Sequence, residues 1–198
     1  MLAPSNSAEA LAFTKLAFEL SEEFDTPVFI KMCTRVAHSQ SIVETSERVM
    51  PENKPYEKNP QKYIMMPANA KKRHPFVEQR CEKLTEYANT ADINFEEKGT
   101  NGIGVITSGT CYQYVKEVFG DEASILKLGM VYPLPTERIK SFAKSVDKLY
   151  VVEELDGFIE THVKALESTV WAKSFSPVSE SFVQALLPRS SAKKFLLT

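Results

Sequence analysis

The sequence predicts an α/β protein with three layers around a mostly parallel sheet, flanked by less regular segments. Three observations carry that prediction. All seven glycines of the 198 residues fall between Gly99 and Gly157, and glycine marks the tight turns at the ends of strands and helices. In the same window short β-branched runs alternate with amphipathic stretches. An order of strand, helix, strand, helix, strand, helix requires parallel pairing through crossovers, with helices covering both faces of the sheet.

Taken in order, the chain opens on a helix. Asn6 followed three residues later by Glu9 fits a capping box, and Phe13, Leu16, Ala17, Leu20 and Phe24 recur at helical spacing. Asp25-Thr26-Pro27 ends that helix, and Val28 to Cys33 has the composition of a short buried strand. One helix and one strand cannot bury their own faces, so residues 1–46 read as the end of a larger sheet and are expected to self-associate through their open edge. Residues 47–99, interrupted by Pro51, Pro55, Pro60, Pro67 and Pro75, read as a linker. It holds one helix from about Pro75 to Ala88, with Val77, Cys81, Leu84 and Ala88 on one side.

Residues 100–167 form the regular unit. Ile103 to Thr107 is a strand, Thr110 to Phe119 a helix, and Ile125 to Val131 a second strand. A sharp connection at Tyr132-Pro133-Leu134-Pro135-Thr136 leads to a helix bearing Ile139, Phe142, Ala143 and Val146. Leu149 to Val152 is a third strand, and Ile159, Val163 and Leu166 mark a further helix. Residues 168–198, with Trp171 and many serines, are expected to be partly ordered, and Phe182, Val183, Leu186 and Leu187 suggest a short helix.

Composition narrows the function classes. A formal net charge of −2 with 25% charged residues excludes a polyanion-binding character. No apolar run reaches the roughly 20 residues of a membrane span, and Met1-Leu2-Ala3-Pro4 lacks a secretory profile, so a cytoplasmic address is expected. Cys33, Cys81 and Cys111 are odd in number and set among apolar neighbours, as free buried thiols are. His38, His74 and His162 are scattered, and no metal-ligand spacing occurs. The basic run Lys71-Lys72-Arg73-His74 reads as a solvated stretch before a helix.

In open α/β sheets ligands sit beyond the carboxyl ends of strands. Ser108, Gly109 and Thr110 follow the first strand of the regular unit and place hydroxyls and a glycine at a helix N-terminus, where free N–H groups favour an anion. The alternative, and the commoner role of such residues, is that Ser108 or Thr110 simply caps that helix. A dinucleotide fingerprint fails there, because Gly102 and Gly104 precede or lie within the strand and Thr107 stands in the third glycine's place. Thr34, Arg35 and His38, directly after Val28–Cys33, combine a hydroxyl, a fixed cation and an imidazole in a ligand position, with a structural ion pair as the alternative. Glu153 and Glu154 point to opposite faces, which favours helix capping or a subunit contact over paired acid and base.

The ordered set Pro4 to Ala10, Phe24 to Val28, Thr34 to Ser39, Lys72 to Phe76, Gly104 to Gly109 and Leu149 to Leu155 resembles the alpha subunit of indolepyruvate:ferredoxin oxidoreductase, of the 2-oxoacid:ferredoxin oxidoreductase family. The match runs from Leu2 to about Leu166. The resemblance implies that residues 1–46 end a pyrimidine-binding thiamine diphosphate domain and that residues 100–167 are similar to the transketolase C-terminal domain. It implies oxidative decarboxylation of indolepyruvate and other aryl pyruvates to aryl-acetyl-CoA, with ferredoxin as electron acceptor. Thiamine diphosphate, magnesium and iron–sulfur clusters would serve the whole enzyme, and the remaining alpha-subunit domains and a beta subunit would be partners. Arg35 and His38 match an Arg-x-x-His element of the family, which directs them and Thr34 toward the substrate side. The family's opening active-site segment, its diphosphate-and-magnesium motif and its cluster cysteines have no counterpart here. The chain is therefore expected to be an inactive internal fragment, starting at an internal methionine, with an atypical tail after Glu167. The residues without the resemblance leave open a stand-alone α/β module for a small anion or a partner protein.

Overall fold

The computed structural model describes residues 1–50, 55–167 and 175–179. Helix α1 (Ser7–Phe24) starts where Asn6 accepts a hydrogen bond from the Glu9 amide and stops at Asp25, which adopts a left-handed backbone with φ of 50°. The capping box closes differently from the expected one: the Glu9 carboxylate reaches Ser5, accepting from its amide at 2.8 Å and its hydroxyl at 2.9 Å. Val28 to Cys33 is not a buried strand. Leu2 inserts between Ile30 and Met130 through single bridges on either side, and Phe29 and Met32 stand 71% and 46% exposed. Apolar composition gave the reading of a core strand, yet a strand needs neighbours on both sides to be buried. After α2 (Thr34–His38) and α3 (Pro60–Tyr63) comes α4 (Pro67–Thr90), which begins two turns before the predicted start. Pro67 at the first turn initiates it, and Ala68, Ala70, Lys71, Lys72 and Arg73 are strong helix formers that carry it through Pro75, whose missing N–H removes one intrahelical bond.

The supposed linker also contains a strand, β1 (Asn94–Glu97). It precedes β2 (Ile103–Ser108), α5 (Cys111–Phe119), β3 (Ser124–Leu128), α6 (Thr136–Lys144), β4 (Lys148–Glu153) and α7 (Phe158–Glu167). A further strand, β5 (Phe175–Ser179), lies in the stretch expected to be partly ordered. The sheet order is β1-β3-β2-β4-β5. β1 is antiparallel to β3 and the other pairs are parallel, so the sheet is mixed with the expected parallel majority. β3 ends at Leu128, three residues before the predicted Val131, because Gly129 to Val131 turn to pair with Met1 to Ala3 instead. The suggested helix at Phe182 to Leu187 and Trp171 lie outside the described residues.

Alternation along the strands builds two cores. Ile106, Leu126, Leu128, Leu149 and Val151 face α6 and α7, which supply Ile139, Phe142, Ala143, Ile159 and Val163. Val105, Ile125 and Val152 face α5 with Cys111, Tyr114 and Val115. A third cluster, Leu2, Phe13, Leu20, Ala88 and Met130, joins α1 to α4. Asn94 locks that corner: its amide donates to the Ala88 carbonyl at 2.8 Å, and its Oδ1 accepts from the amides of Gly129 and Met130, both at 2.9 Å. No described helix is long and apolar enough to cross a membrane.

Candidate functional site

Two candidate segments far apart in sequence meet at the carboxyl end of β2. The backbone of β2 ends at Ser108, and Gly109, with φ of 54°, turns the chain into α5. α2 lies across that turn from the other side, anchored by the buried Val36. Between them a cleft of about 560 Å³ is lined by Thr34, Arg35, Val36, His38, Ser39 and Gln40 from the α2 region, by Thr110, Gln113 and Tyr114 from α5, and by Ser5 and Asn6. Thr34, Arg35, His38 and Thr110 are thus brought together. Ser108 and Gly109 fall beside them, lining a small recess of about 20 Å³ with Lys31, Cys33, Thr110 and Glu154.

The local chemistry favours a polar or anionic guest. The Arg35 guanidinium stands over the Tyr114 ring, 4.9 Å from its centroid, and a buried aromatic face under a guanidinium fixes its plane. Thr110 precedes α5 without a side-chain cap bond; its hydroxyl accepts from the Cys33 thiol at 3.7 Å. The capping alternative for this hydroxyl is therefore not realised. Ser39 ties α2 to the start of α1, its hydroxyl 2.9 Å from that of Ser7 and 3.0 Å from the Val36 carbonyl. Glu153 and Glu154 separate as expected. The Glu153 carboxylate caps α7 by accepting from the Ile159 and Glu160 amides, both at 2.9 Å, and Glu154 faces Lys31 at 3.9 Å.

Behind the cleft wall lies a buried charge that sequence reading missed. Lys127 of β3 has no exposed surface, and its ammonium donates to both Glu9 oxygens at 2.8 and 2.7 Å. Phe13 and Phe95 stack against it at 5.0 and 5.6 Å. Burial lowers the Lys127 pKa below the ordinary lysine value, with Glu9 pulling the other way. The signal was available: a lysine in the run Ile125-Leu126-Lys127-Leu128 has to find an anion. Through Ser5, the same pair positions one edge of the cleft. The neighbouring Thr107 hydroxyl is buried without a partner, facing into the layer under α5 instead of the cleft.

The donor set does not fit a magnesium-held diphosphate. Hydroxyls, carboxamides, a guanidinium and an imidazole line the large cleft, and no carboxylate does. Among the described residues no group of three or more His, Cys, Asp or Glu side chains is placed to hold a metal ion.

No protein-family model matches the chain. Curated relatives do. It is 34% identical over 170 residues to indolepyruvate oxidoreductase subunit IorA of Archaeoglobus fulgidus, covering 82% of this chain and 27% of that protein. Against the same subunit of Methanothermobacter marburgensis the identity is 34% over 175 residues, with 85% and 28% covered. Against that of Pyrococcus horikoshii it is 33% over 200 residues, with 96% and 30% covered. The chain therefore spans under a third of the length of these relatives. Among solved structures, a 2-oxoglutarate:ferredoxin oxidoreductase from Magnetococcus marinus with 2-oxoglutarate, coenzyme A and succinyl-CoA bound aligns over 67% of this chain and 23% of its own, at 15% identity and a TM-score of 0.43.

Proposed function

Since this chain belongs with the IorA subunits of indolepyruvate oxidoreductase, as a stretch under a third of their length, we propose that it is the part of such an oxidoreductase that builds one wall of the 2-oxoacid site. The reaction would be oxidative decarboxylation of indolepyruvate and other aryl pyruvates to aryl-acetyl-CoA, with ferredoxin taking the electrons. Residues 1–46 would close a pyrimidine-binding domain and residues 100–167 would be a transketolase C-terminal-like domain. Thiamine diphosphate, magnesium and iron–sulfur clusters would be held elsewhere in the assembly, on the remaining alpha-subunit domains and a beta subunit.

One observation carries this reading: Arg35, Thr34 and His38 converge with Thr110 and Tyr114 on a single cleft at the end of the parallel sheet. A 2-oxoacid presents a carboxylate, and Arg35, oriented by Tyr114, offers the planar donors that bind one. Thr34 and Thr110 supply hydroxyls to a carbonyl or carboxylate oxygen, and Gln113 and Gln40 add carboxamides. The chain's own work is binding and orientation, and no proton transfer falls to it. Phe18, Phe29 and Met32, at 73%, 71% and 46% exposure, leave apolar side chains on the first 46 residues for the remaining domains or, in the isolated chain, for a second copy to cover.

Thermal denaturation of the purified chain tests the reading. Indolepyruvate at a hundred times its dissociation constant should add about 2.7 kcal/mol of stability, and Arg35→Met should abolish that gain. Thiamine diphosphate with magnesium should add nothing. A gain from the thiamine cofactor, or an indolepyruvate response indifferent to Arg35, would overturn it. Stabilisation by simple inorganic anions alone would favour the stand-alone anion-binding module, for which the Ser108 to Thr110 turn is the supporting feature.

A further inference from the structure

We propose that the concave face between α3 and the first half of α4 is a binding site for a nucleoside phosphate, with Lys62, Lys72 and Arg73 taking the phosphate and Phe76 the base. The face encloses about 310 Å³ and is lined by those four residues with Asn59, Gln61 and Asn69. It lies apart from the cleft described above and shares no lining residue with it.

The α4 contribution is a single helical row. Asn69, Lys72, Arg73 and Phe76 stand at i, i+3, i+4 and i+7, the spacing that puts side chains on one face. On an ordinary surface helix that row is apolar and buried. Here it carries an amide, two cations and a phenyl ring 61% exposed. The cations are held in place. Asp25, at the end of α1, takes Lys62 at 2.7 Å and Arg73 at 2.8 Å, which draws α3 and α4 together and leaves both side chains only 28% exposed. Lys72 makes no ion pair among the described residues, so the three cations outnumber the single carboxylate that organises them. The Arg73 guanidinium has donors left after its bond to Asp25, and the Lys62 ammonium, bonded to Asp25 and Tyr63, has one.

The remaining lining suits a base better than a bare anion. The Arg73 guanidinium lies 5.8 Å from the Phe76 ring centroid, so cation and aromatic face form one surface. A phosphate alone has no use for that ring, whereas a nucleobase stacks on it. Asn59 and Asn69 are fixed at opposite ends: the Asn59 carbonyl oxygen accepts from the Lys62 amide at 3.0 Å, and the Asn69 amide donates to the Ile64 carbonyl at 2.9 Å. Their other ends, an NH₂ and a carbonyl oxygen, match the donor and acceptor edge of a base. The volume is at the lower end of small-molecule sites, about 300 Å³, which suits a mononucleotide and excludes a dinucleotide.

Isothermal titration calorimetry of the full chain at low ionic strength tests this with AMP, ribose 5-phosphate and inorganic phosphate as probes. AMP should bind saturably at one site and more tightly than ribose 5-phosphate. Phe76→Ala should weaken AMP about tenfold, the loss of one stacked base, and leave ribose 5-phosphate unchanged. Lys72→Ala should weaken both about tenfold, as loss of one charge-assisted contact does. Both side chains are exposed, and circular dichroism of each variant checks that the fold is kept. Absence of saturable AMP binding, equal affinity for AMP and ribose 5-phosphate, or an AMP affinity unchanged by either substitution would overturn the proposal. None of these results bears on the Arg35 cleft, so the two readings fail independently.

Discussion

The Glu9–Lys127 pair ties α1 to the sheet, and its removal should expose how much of the cleft wall depends on it. Glu9→Ala leaves a lysine with no exposed surface facing two aromatic rings, and deprives the Ser5 amide and hydroxyl of their acceptor. Removing one member of a buried pair costs about 3–5 kcal/mol. Because the Glu9 side chain is 22% exposed, water already shares the carboxylate, and the lower end, about 3 kcal/mol, applies. Lys127→Met is different: an apolar chain of similar length fits between Phe13 and Phe95, and Glu9 keeps Ser5 and its water. That loss should be about 1 kcal/mol or less, as for buried pairs replaced by apolar groups. The double variant removes the unpaired lysine but still leaves Ser5 without its acceptor, so it should exceed Lys127→Met by about 1 kcal/mol, giving a coupling of about 2 kcal/mol. Urea denaturation followed by far-ultraviolet circular dichroism measures all four species. The pH dependence gives an independent check. Burial lowers the folded Lys127 pKa below its ordinary 10.5, so between the folded value and 10.5 the unfolded chain binds more protons and stability from this residue rises with pH. Wild type should therefore gain on Lys127→Met as pH approaches 10.5. Additive single losses, a Glu9→Ala change under about 0.5 kcal/mol, or a pH difference of the opposite sign would refute the reasoning.

Two further perturbations test the surrounding fold. Tyr112 donates to Glu97 at 2.5 Å, and burial, then that carboxylate, push its pKa up to about 12. Its contribution is full below pH 10 and lost as pH rises through about 12. Tyr87 and Tyr132 are raised as well, so ultraviolet titration of the seven tyrosines should show a late region that loses its last component, at about 12, in Tyr112→Phe, and an unaltered titration curve would contradict the assignment. At Gly129 a Cβ would lie 2.4 Å from the Ile93 carbonyl oxygen and 2.9 Å from Phe13. Gly129→Ala should cost about 3 kcal/mol, as over-packing against backbone does, and a urea midpoint near wild type would show that the corner yields.

The regular unit was legible because its physics is local. Strand alternation and helical spacing identified β2, α5 and β4 within a residue or so and marked the presence of α7, since a strand that buries both faces and a helix that buries one leave that imprint on Ile103–Thr107 or Ile159, Val163 and Leu166. Where a single residue was allowed to decide, the outcome differed. Pro75 by itself signals a helix start, yet the formers on both sides of it outweigh one lost hydrogen bond. That shift brought Lys72, Arg73 and Phe76 onto one helix face, which the basic run alone did not disclose. β1 was missed because Asn-Phe-Glu-Glu has no apolar alternation; its charges are matched by Lys116 and Arg138 from neighbouring helices.

The sequence by itself determined the α/β class, the parallel majority of the sheet, the helix caps at Asn6, and the residue types able to meet an anion at Thr34, Arg35, His38 and Thr110. Only the tertiary structure decided that these stand around one cleft, that Lys127 finds Glu9, and that Val28 to Cys33 is not a buried strand. Local periodicity reports which side of an element is buried. It holds no information about which distant element supplies the other side, because Arg35 and Thr110 stand 75 positions apart in the chain and packing alone brings them together.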